Sequence, residues 1–486
     1  MTLLILLPLL APVLAALCSV VLGWLSAAVT VMSALTILGC GVALGFQVGD
    51  QPHLILNGLL RADALSVTML IVIGVVGSLA SWASIGYIGA ELAGGHTDER
   101  GARLYGILTP AFLAAMALAV SANNIGVVWI AVEATTVATA FLVGHRRSRA
   151  ALEATWKYVM VCSVGITIAF LGTVLLHFAA LHAGAGGEDA LDLDVLAAHA
   201  AGLDPAVTRL AGALLLIGYG AKMGLAPFHT WLADAHSQAP APVSALMSGV
   251  LLSVAFSVLI RIKPIIDAAV GPAFLRTALL AAGLVTLLIA ALLLTITTDL
   301  KRMLAYSSME TMGLIAVAAA AGTELAITAL LLHVLAHGVG KTVLFLAGGQ
   351  LQAAHGTTAI GEITAVFGRS RLVGGAFAVG MVVLLGLPPF AMFASEVAIA
   401  LSLADARLAW ALGLALAALV VAFAALLRNS GRLLLGTPGA SSPAIRVPVT
   451  VAGALVAGVL LSLALGVTAG PLTDLFTTAA SQLGVR

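Results

Sequence analysis

Residues 210–228 read LAGALLLIGYGAKMGLAPF. About 20 apolar residues are needed to cross the hydrocarbon core of a bilayer, and this run is long enough. It carries two features that lipid resists. One is an ammonium group, Lys222, where insertion costs about 2.5 to 3.5 kcal/mol. The other is the Gly224-Leu225-Ala226-Pro227-Phe228 break, whose proline removes a backbone donor and clashes with the preceding turn. The break recurs as Gly386-Leu387-Pro388-Pro389-Phe390 inside a second long apolar run, and Asp234 after the first break is matched at the same offset by Glu396 after the second. Ordinary proline kinks are common in membrane helices. Paired interrupted helices in two parts of one chain point instead to an ion pathway.

The rest of the chain has the same solvent preference. Of 486 residues 61% are hydrophobic and 9% charged, and mean hydropathy is +1.14, so the solvent is lipid. An all-α polytopic membrane protein of about fourteen transmembrane helices is expected. The spans fall near 2–22, 25–46, 61–90, 104–121, 123–144, 154–180, 208–233, 240–262, 273–297, 303–321, 324–351, 372–401, 407–428 and 447–469. The first run lacks a basic leader and is followed at once by another, so it reads as a retained helix. A net charge of +1 leaves no electrostatic footprint for nucleic acid. Cys18, Cys40 and Cys162 are scattered without C-x-x-C spacing, so no metal or redox cofactor is expected in this chain.

Alternating sides collect Arg100, Arg103, Arg146, Arg147, Arg149, Lys157, Lys301, Arg302, Arg369, Arg371, Arg428, Arg432 and Arg446 on one face. Arg61, Arg209, Arg261, Lys263, Arg276, Arg407 and Arg486 fall on the other. The positive-inside rule makes the richer side cytoplasmic and both termini external. The acidic loop 181–206, with Glu188, Asp189, Asp192 and Asp194, then also faces outward.

Several more ionisable groups sit at mid-span. Glu133 lies within Ile125 to Val143, and His333, His337 and Lys341 recur at i, i+4 and i+8, sharing one helix face along roughly 12 Å of rise. Histidine titrates near neutral pH, and lysine exchanges a proton where arginine does not. Zinc is a poor fit to His-x-x-x-His, since the acid of His-Glu-x-x-His and a third ligand are both missing. Gly340-Lys341-Thr342 is no phosphate loop either, because Leu335 stands where that motif needs glycine. Helix-to-helix glue is the bland alternative. Such contacts contribute only about 1 kcal/mol each in membranes, too little to explain half a dozen insertion penalties.

These residues resemble the antiporter-like membrane subunits shared by respiratory complex I, energy-converting hydrogenases and multisubunit cation/proton antiporters. The resemblance runs through Trp129 to Thr136, Lys222 to Pro240, Asp299 to Gly313, His333 to Lys341 and Leu387 to Glu396. The wording Glu-Ala-Thr-Thr and Asp-Ala-His-Ser-Gln-Ala-Pro is most similar to hydrogenase-4 component F, of the formate hydrogenlyase branch. The resemblance implies two inverted five-helix repeats with spans seven and twelve broken. Residues 1–103 would form the N-terminal helices, 104–262 and 263–428 the repeats, and 429–486 the last helix. It also implies that Glu133 pairs with Lys222, that His333, His337 and Lys341 carry the proton onward, and that Glu396 is the last relay group. His229, Asp234, Asp299 and Lys301 fall in the matching motifs as supporting residues. Glu310, nine residues after Lys301 as Glu133 is nine after Asn124, is the expected counterpart of Glu133. The chain departs from many relatives in span eight, where Val243 to Ile260 holds no ionisable side chain. Ser253 and Ser257 remain to order water there.

The expected function is therefore a proton-translocating membrane subunit of a complex I-like or hydrogenase-type redox complex in the cell membrane. Its redox centres and peripheral partners would lie in other subunits. The rival is a subunit of a cation/proton antiporter, with sodium a candidate ion beside protons, or of an inorganic-carbon uptake transporter of the same fold; a purely structural anchor would not need the buried charges. Cysteine labelling should find the loop at 145–153 in the cytoplasm and the loop at 181–206 outside. The reverse pattern would invert the assigned orientation.

Overall fold

A computed structural model describes residues 1–22, 27–436, 444–468 and 470–484. Arg486 of the charge count, and the edges of the spans expected at 25–46 and 447–469, lie outside them. The helices are α1 (Thr2–Leu22), α2 (Ala27–Gly45), α3 (Ala64–Ala93), α4 (Glu99–Ser121), α5 (Ile125–Val143), α6 (Arg149–His182), α7 (Leu193–His199), α8 (Pro205–Met223), α9 (Thr230–Gln238), α10 (Ala241–Leu246), α11 (Leu252–Val270), α12 (Ala273–Ile296), α13 (Leu300–Ala321), α14 (Glu324–His355), α15 (Val366–Arg369), α16 (Arg371–Leu384), α17 (Ala391–Asp405), α18 (Ala409–Leu434), α19 (Val449–Thr468) and α20 (Gly470–Gln482). A π-helical turn, Met247–Leu251, joins α10 and α11 into one rod. Among the described residues, twelve helices are long and apolar enough to cross a membrane. The chain is an all-α polytopic membrane protein, with one small hairpin, β1 (His53–Ile55) against β2 (Leu60–Ala62).

Polar residues start the helices where the chain leaves the lipid. Asp63, Asp98, Asn124, Ser148, Asp204, Asp299, Thr323 and Ser370 each accept from a backbone N–H of the helix that follows, satisfying donors that lipid cannot. The two expected breaks are real interruptions. The 208–233 run stops at Met223 with Gly224 at φ +75, and α9 restarts at Thr230. The 372–401 run divides into α16 and α17 around Gly386 at φ +59. At the first break Ala226 N–H is taken by Thr286 Oγ1 at 3.0 Å, a side-chain substitute for the bond that the helix gives up.

The layering follows from which helices carry polar side chains: the strongly apolar α1, α12 and α18 lie outside, and the less apolar α13 and α14 lie inside. The most apolar windows of α3, the α10–α11 rod, α13 and α14 are 94, 94, 89 and 94% buried, against 28% for α1 and α19. The buried helices carry the polar side chains that lipid would reject. Close approach is set by small residues. A methyl on Gly249 would lie 3.0 Å from the Gly338 carbonyl, and one on Gly338 2.9 Å from the Gly249 carbonyl, so the π turn presses onto α14 beside His337.

The acidic 181–206 segment folds into α7 and short turns. Asn123 and Asn124 donate to Asp194 and Asp192, each at 2.7 Å, tying it to the start of α5. Charged groups gather at the two ends of the bundle. Arg146–Glu91 at 2.6 Å lies at one end with Asp234, which meets Lys157 at 3.0 Å and Arg302 at 2.7 Å. Asp63 meets Arg61 at 2.5 Å and Arg261 at 2.8 Å at the other.

Candidate functional site

Lys222 ends α8 in the last turn before the break, fully buried. Its ammonium donates to Thr136 Oγ1 of α5 at 2.8 Å and to Tyr158 Oη of α6 at 2.7 Å, and lies 4.9 Å from the centre of the Tyr158 ring. The expected contact with Glu133 is not made. Glu133, half-buried one turn before Thr136, turns towards α6, where Ser163 Oγ donates to its Oε1 at 2.8 Å; its Oε2 is buried without a partner. The two groups are thus near one another, each bound to hydroxyls of its own. Both hydroxyls accept from an ammonium; the Tyr158 hydrogen is held by Thr139 Oγ1, whose own goes to the Thr135 carbonyl, so Thr136 is the one that can donate to a neutral amine. A carboxylate in contact would satisfy only the charged form of Lys222.

The next titratable group inward is one that sequence reading passed over. His236, in the last turn of α9, is fully buried, and its Nδ1 lies 2.8 Å from the Leu232 carbonyl. A carbonyl only accepts, so Nδ1 carries the hydrogen and Nε2 is the bare nitrogen. That Nε2 has no protein partner. Trp231 stands between the Tyr158 ring, at 5.0 Å, and the His236 ring, at 6.2 Å, while Phe345 of α14 lies 5.7 Å beyond. His236 is also within electrostatic reach of Lys301 and Lys341. The signal was present in Asp-Ala-His-Ser-Gln-Ala-Pro, but the proline break hid that this histidine turns back into the core.

On α14, Lys341 is fully buried and donates to the Leu304 carbonyl of α13 at 2.7 Å and to Ser307 Oγ. His337 has neither ring nitrogen paired. His333 Nδ1 lies 2.9 Å from Ser395 Oγ of α17, whose own hydrogen goes to the Met392 carbonyl at 2.7 Å. His333 Nδ1–H is therefore the donor, and its Nε2 is bare and unpaired. Ser248 of the π turn meets Ser308 of α13 at 2.6 Å. Glu310 and Glu396 line one cavity between α13, α17 and α18.

The supporting residues divide. Lys301 is buried and donates to the Ser237 and Ala239 carbonyls at 3.2 and 2.7 Å, so it holds the C-terminal end of α9, which carries His236, against α13. Asp234 stands in the ion-pair cluster with Lys157 and Arg302, unlike Glu396 at the matching offset, because α9 carries it to the bundle end. Asp299 caps α13, accepting from Arg302 N at 2.8 Å and from Thr358. His229 precedes α9, its Nδ1 buried and unpaired. Ser253 Oγ is buried and unpaired, whereas Ser257 donates to its own helix at Val254 O, 2.7 Å, so the two serines are not equivalent. Among the described residues no three His, Cys, Asp or Glu gather to hold a metal.

Residues 122–422 match the family described as NADH:quinone oxidoreductase/Mrp antiporter, transmembrane. A hydrogenase-4 component F homolog of Methylacidiphilum infernorum is 35% identical over 386 residues, covering 79% of this chain and 80% of that protein. Several other relatives are matched over only about half of their own length. The fold is similar to a chain of the membrane-bound sulfane sulfur reductase, an archaeal respiratory complex, with TM-score 0.88, 24% identity and coverage of 100% and 97%. It is also similar to a chain of the Mrp complex from Dietzia sp. DQ12-45-1b, with TM-score 0.85, 22% identity and coverage of 99% and 98%.

Removing one acceptor from a buried ammonium has a cost. Tyr158→Phe should destabilise the detergent-solubilised protein by about 1–3 kcal/mol, read as a lowered unfolding midpoint, and Thr136→Val should do the same. Unchanged midpoints in both would show that these hydroxyls do not hold Lys222.

Proposed function

The chain belongs to the NADH:quinone oxidoreductase/Mrp antiporter transmembrane family, and from that membership we propose that it moves protons across the cell membrane as one subunit of a hydrogenase-type, complex I-like assembly. The observation that carries this reading is the set of titratable side chains inside the bundle from α5 to α17. Lys222, His236, His333, His337, Lys341 and Glu310 are buried, and Glu133 and Glu396 stand half-buried at its two ends. Bare polar atoms at Glu133, His236, His337, His333 and Ser253 favour water between them, since buried polar groups pair with protein or ordered water.

A proton taken up near Glu133 passes by water to Lys222, which the Thr136 and Tyr158 hydroxyls hold. Water carries it to the bare Nε2 of His236, whose Nδ1–H stays on the Leu232 carbonyl. The Ser248–Ser308 pair and Ser253 favour a wet crossing from there to His337 and Lys341, and Glu310 and Glu396 receive the proton last. Sibling subunits supply the redox chemistry, and both termini face outward. The 35% identity to a hydrogenase-4 component F homolog supports a hydrogenase-type complex over a free-standing antiporter.

The assembly isolated through a tag on this chain, and reconstituted in vesicles, can be driven by a potassium–valinomycin potential. Proton uptake should fall about a hundredfold or more in Lys222→Met and His236→Leu, and fall in Glu133→Gln, at unchanged assembly. Wild-type uptake in Lys222→Met and Glu133→Gln would reduce the cluster to structural packing.

A further inference from the structure

Two acidic side chains from different helices open onto one cavity. Glu310 comes from the middle of α13 and Glu396 from the second turn of α17, and they share a cleft of about 170 Å³ that opens at the bundle surface beside the exposed Leu416 and Val420. At about 30 Å³ each, several waters fit. Glu310 is 9% exposed, and among the described residues neither carboxylate makes a hydrogen bond or an ion pair. Every other lining residue is leucine, valine or phenylalanine, from α16, its C-terminal end and α18. The charged and titratable neighbours are Lys341 and His333, both on α14. Lys341 is within electrostatic reach of Glu310 while its ammonium is bound to Leu304 O and Ser307. His333 is bound to Ser395, next to Glu396.

Backbone shape holds the second carboxylate. A methyl group on Gly386 would lie on the carboxylate of Glu396. Only glycine leaves room for that group to fold back against the break, and φ +59 at Gly386 suits glycine as well. The break therefore aims Glu396 into the cavity. Two carboxylates facing one apolar space hold a proton between them more favourably than they hold two charges. A bare metal cation, in contrast, needs a shell of oxygen ligands, and no other lining side chain has one.

We propose that Glu310 and Glu396 act as a single site that takes one proton, shared between them, and rejects sodium. This rests on the proton-transport reading above and identifies its ion. The ammonium of Lys341 gives a proton to the Glu310 carboxylate, leaving a neutral amine and a carboxylic acid. Cavity water then passes that proton to the Glu396 carboxylate, and Glu310 returns to its charged form.

The test is proton uptake by the reconstituted assembly under a potassium–valinomycin potential, with Glu310→Gln, Glu396→Gln and the double variant compared. For one shared site each single change slows uptake about a hundredfold, and the double variant is no slower than the slower single. Gly386→Ala should slow uptake in the wild-type background and add nothing to Glu396→Gln. Effects that multiply in the double variant would overturn the shared site. Radioactive sodium should not enter under the same potential; sodium uptake abolished by Glu396→Gln would overturn the exclusion. Lys222→Met separates the two levels. If it transports normally, the proton-transport reading fails, whereas a blocked Lys222→Met beside multiplying carboxylate effects removes only the shared site. Should a glutamine variant fail to assemble, Glu310→Asp and Glu396→Asp, which keep the carboxylates, must retain uptake, and its loss in both would also overturn the proposal.

Discussion

A charged amine far from water is the constraint around which this structure is arranged. Lys222 and Lys341 are fully buried, and neither meets a carboxylate within ion-pair distance; each is held by hydroxyl and carbonyl oxygens contributed by neighbouring helices. Thr136, Tyr158, Ser307 and Leu304 must therefore stand where they do, and α5, α6 and α13 are fixed against α8 and α14. The breaks belong to the same requirement. By ending α8 directly after Lys222, Gly224 and Pro227 let α9 turn and bring His236 into the core. Gly386 lets Glu396 fold back in the same way. Glycine contacts such as Gly249 with Gly338 bring the helices close enough for short side chains to reach.

Much of this was legible in the sequence because lipid makes apolar length and buried charge stand out. The spans, the two breaks, and Lys222, Lys341, His333 and His337 could be read one residue at a time, since each needs only a helix and a depth. What could not be read depends on the direction a side chain takes after a break. Asp234 and Glu396 share an offset, yet one closes an ion-pair cluster at the end of the bundle and the other faces a cavity. His236 lies two residues from Asp234 and points into the core. Likewise, Glu133 and Lys222 stand near one another without touching, because Ser163 on α6 draws the carboxylate away, and helix periodicity carries no information about α6.

Polar groups outside the central file tie the bundle together at its ends. Asp63 with Arg61 and Arg261, and Glu91 with Arg146, lock α3 to its neighbours at opposite ends. Their carboxylates are matched by arginines in contact, which suits a fixed joint. The groups in the middle have hydroxyl, carbonyl or no protein partners, which suits exchange.

For a proton to pass from Lys222 to Lys341, water and side chains together must form a continuous route between the two lysines. A density map of this chain within its native complex, sharp enough to show ordered water, examines that route directly. Waters joining the Lys222 cluster to His236 Nε2, and His236 to His337 and Lys341 past Ser248 and Ser308, are the predicted result. Unbroken apolar packing between His236 and Lys341, with no water on either side of the histidine, would contradict it.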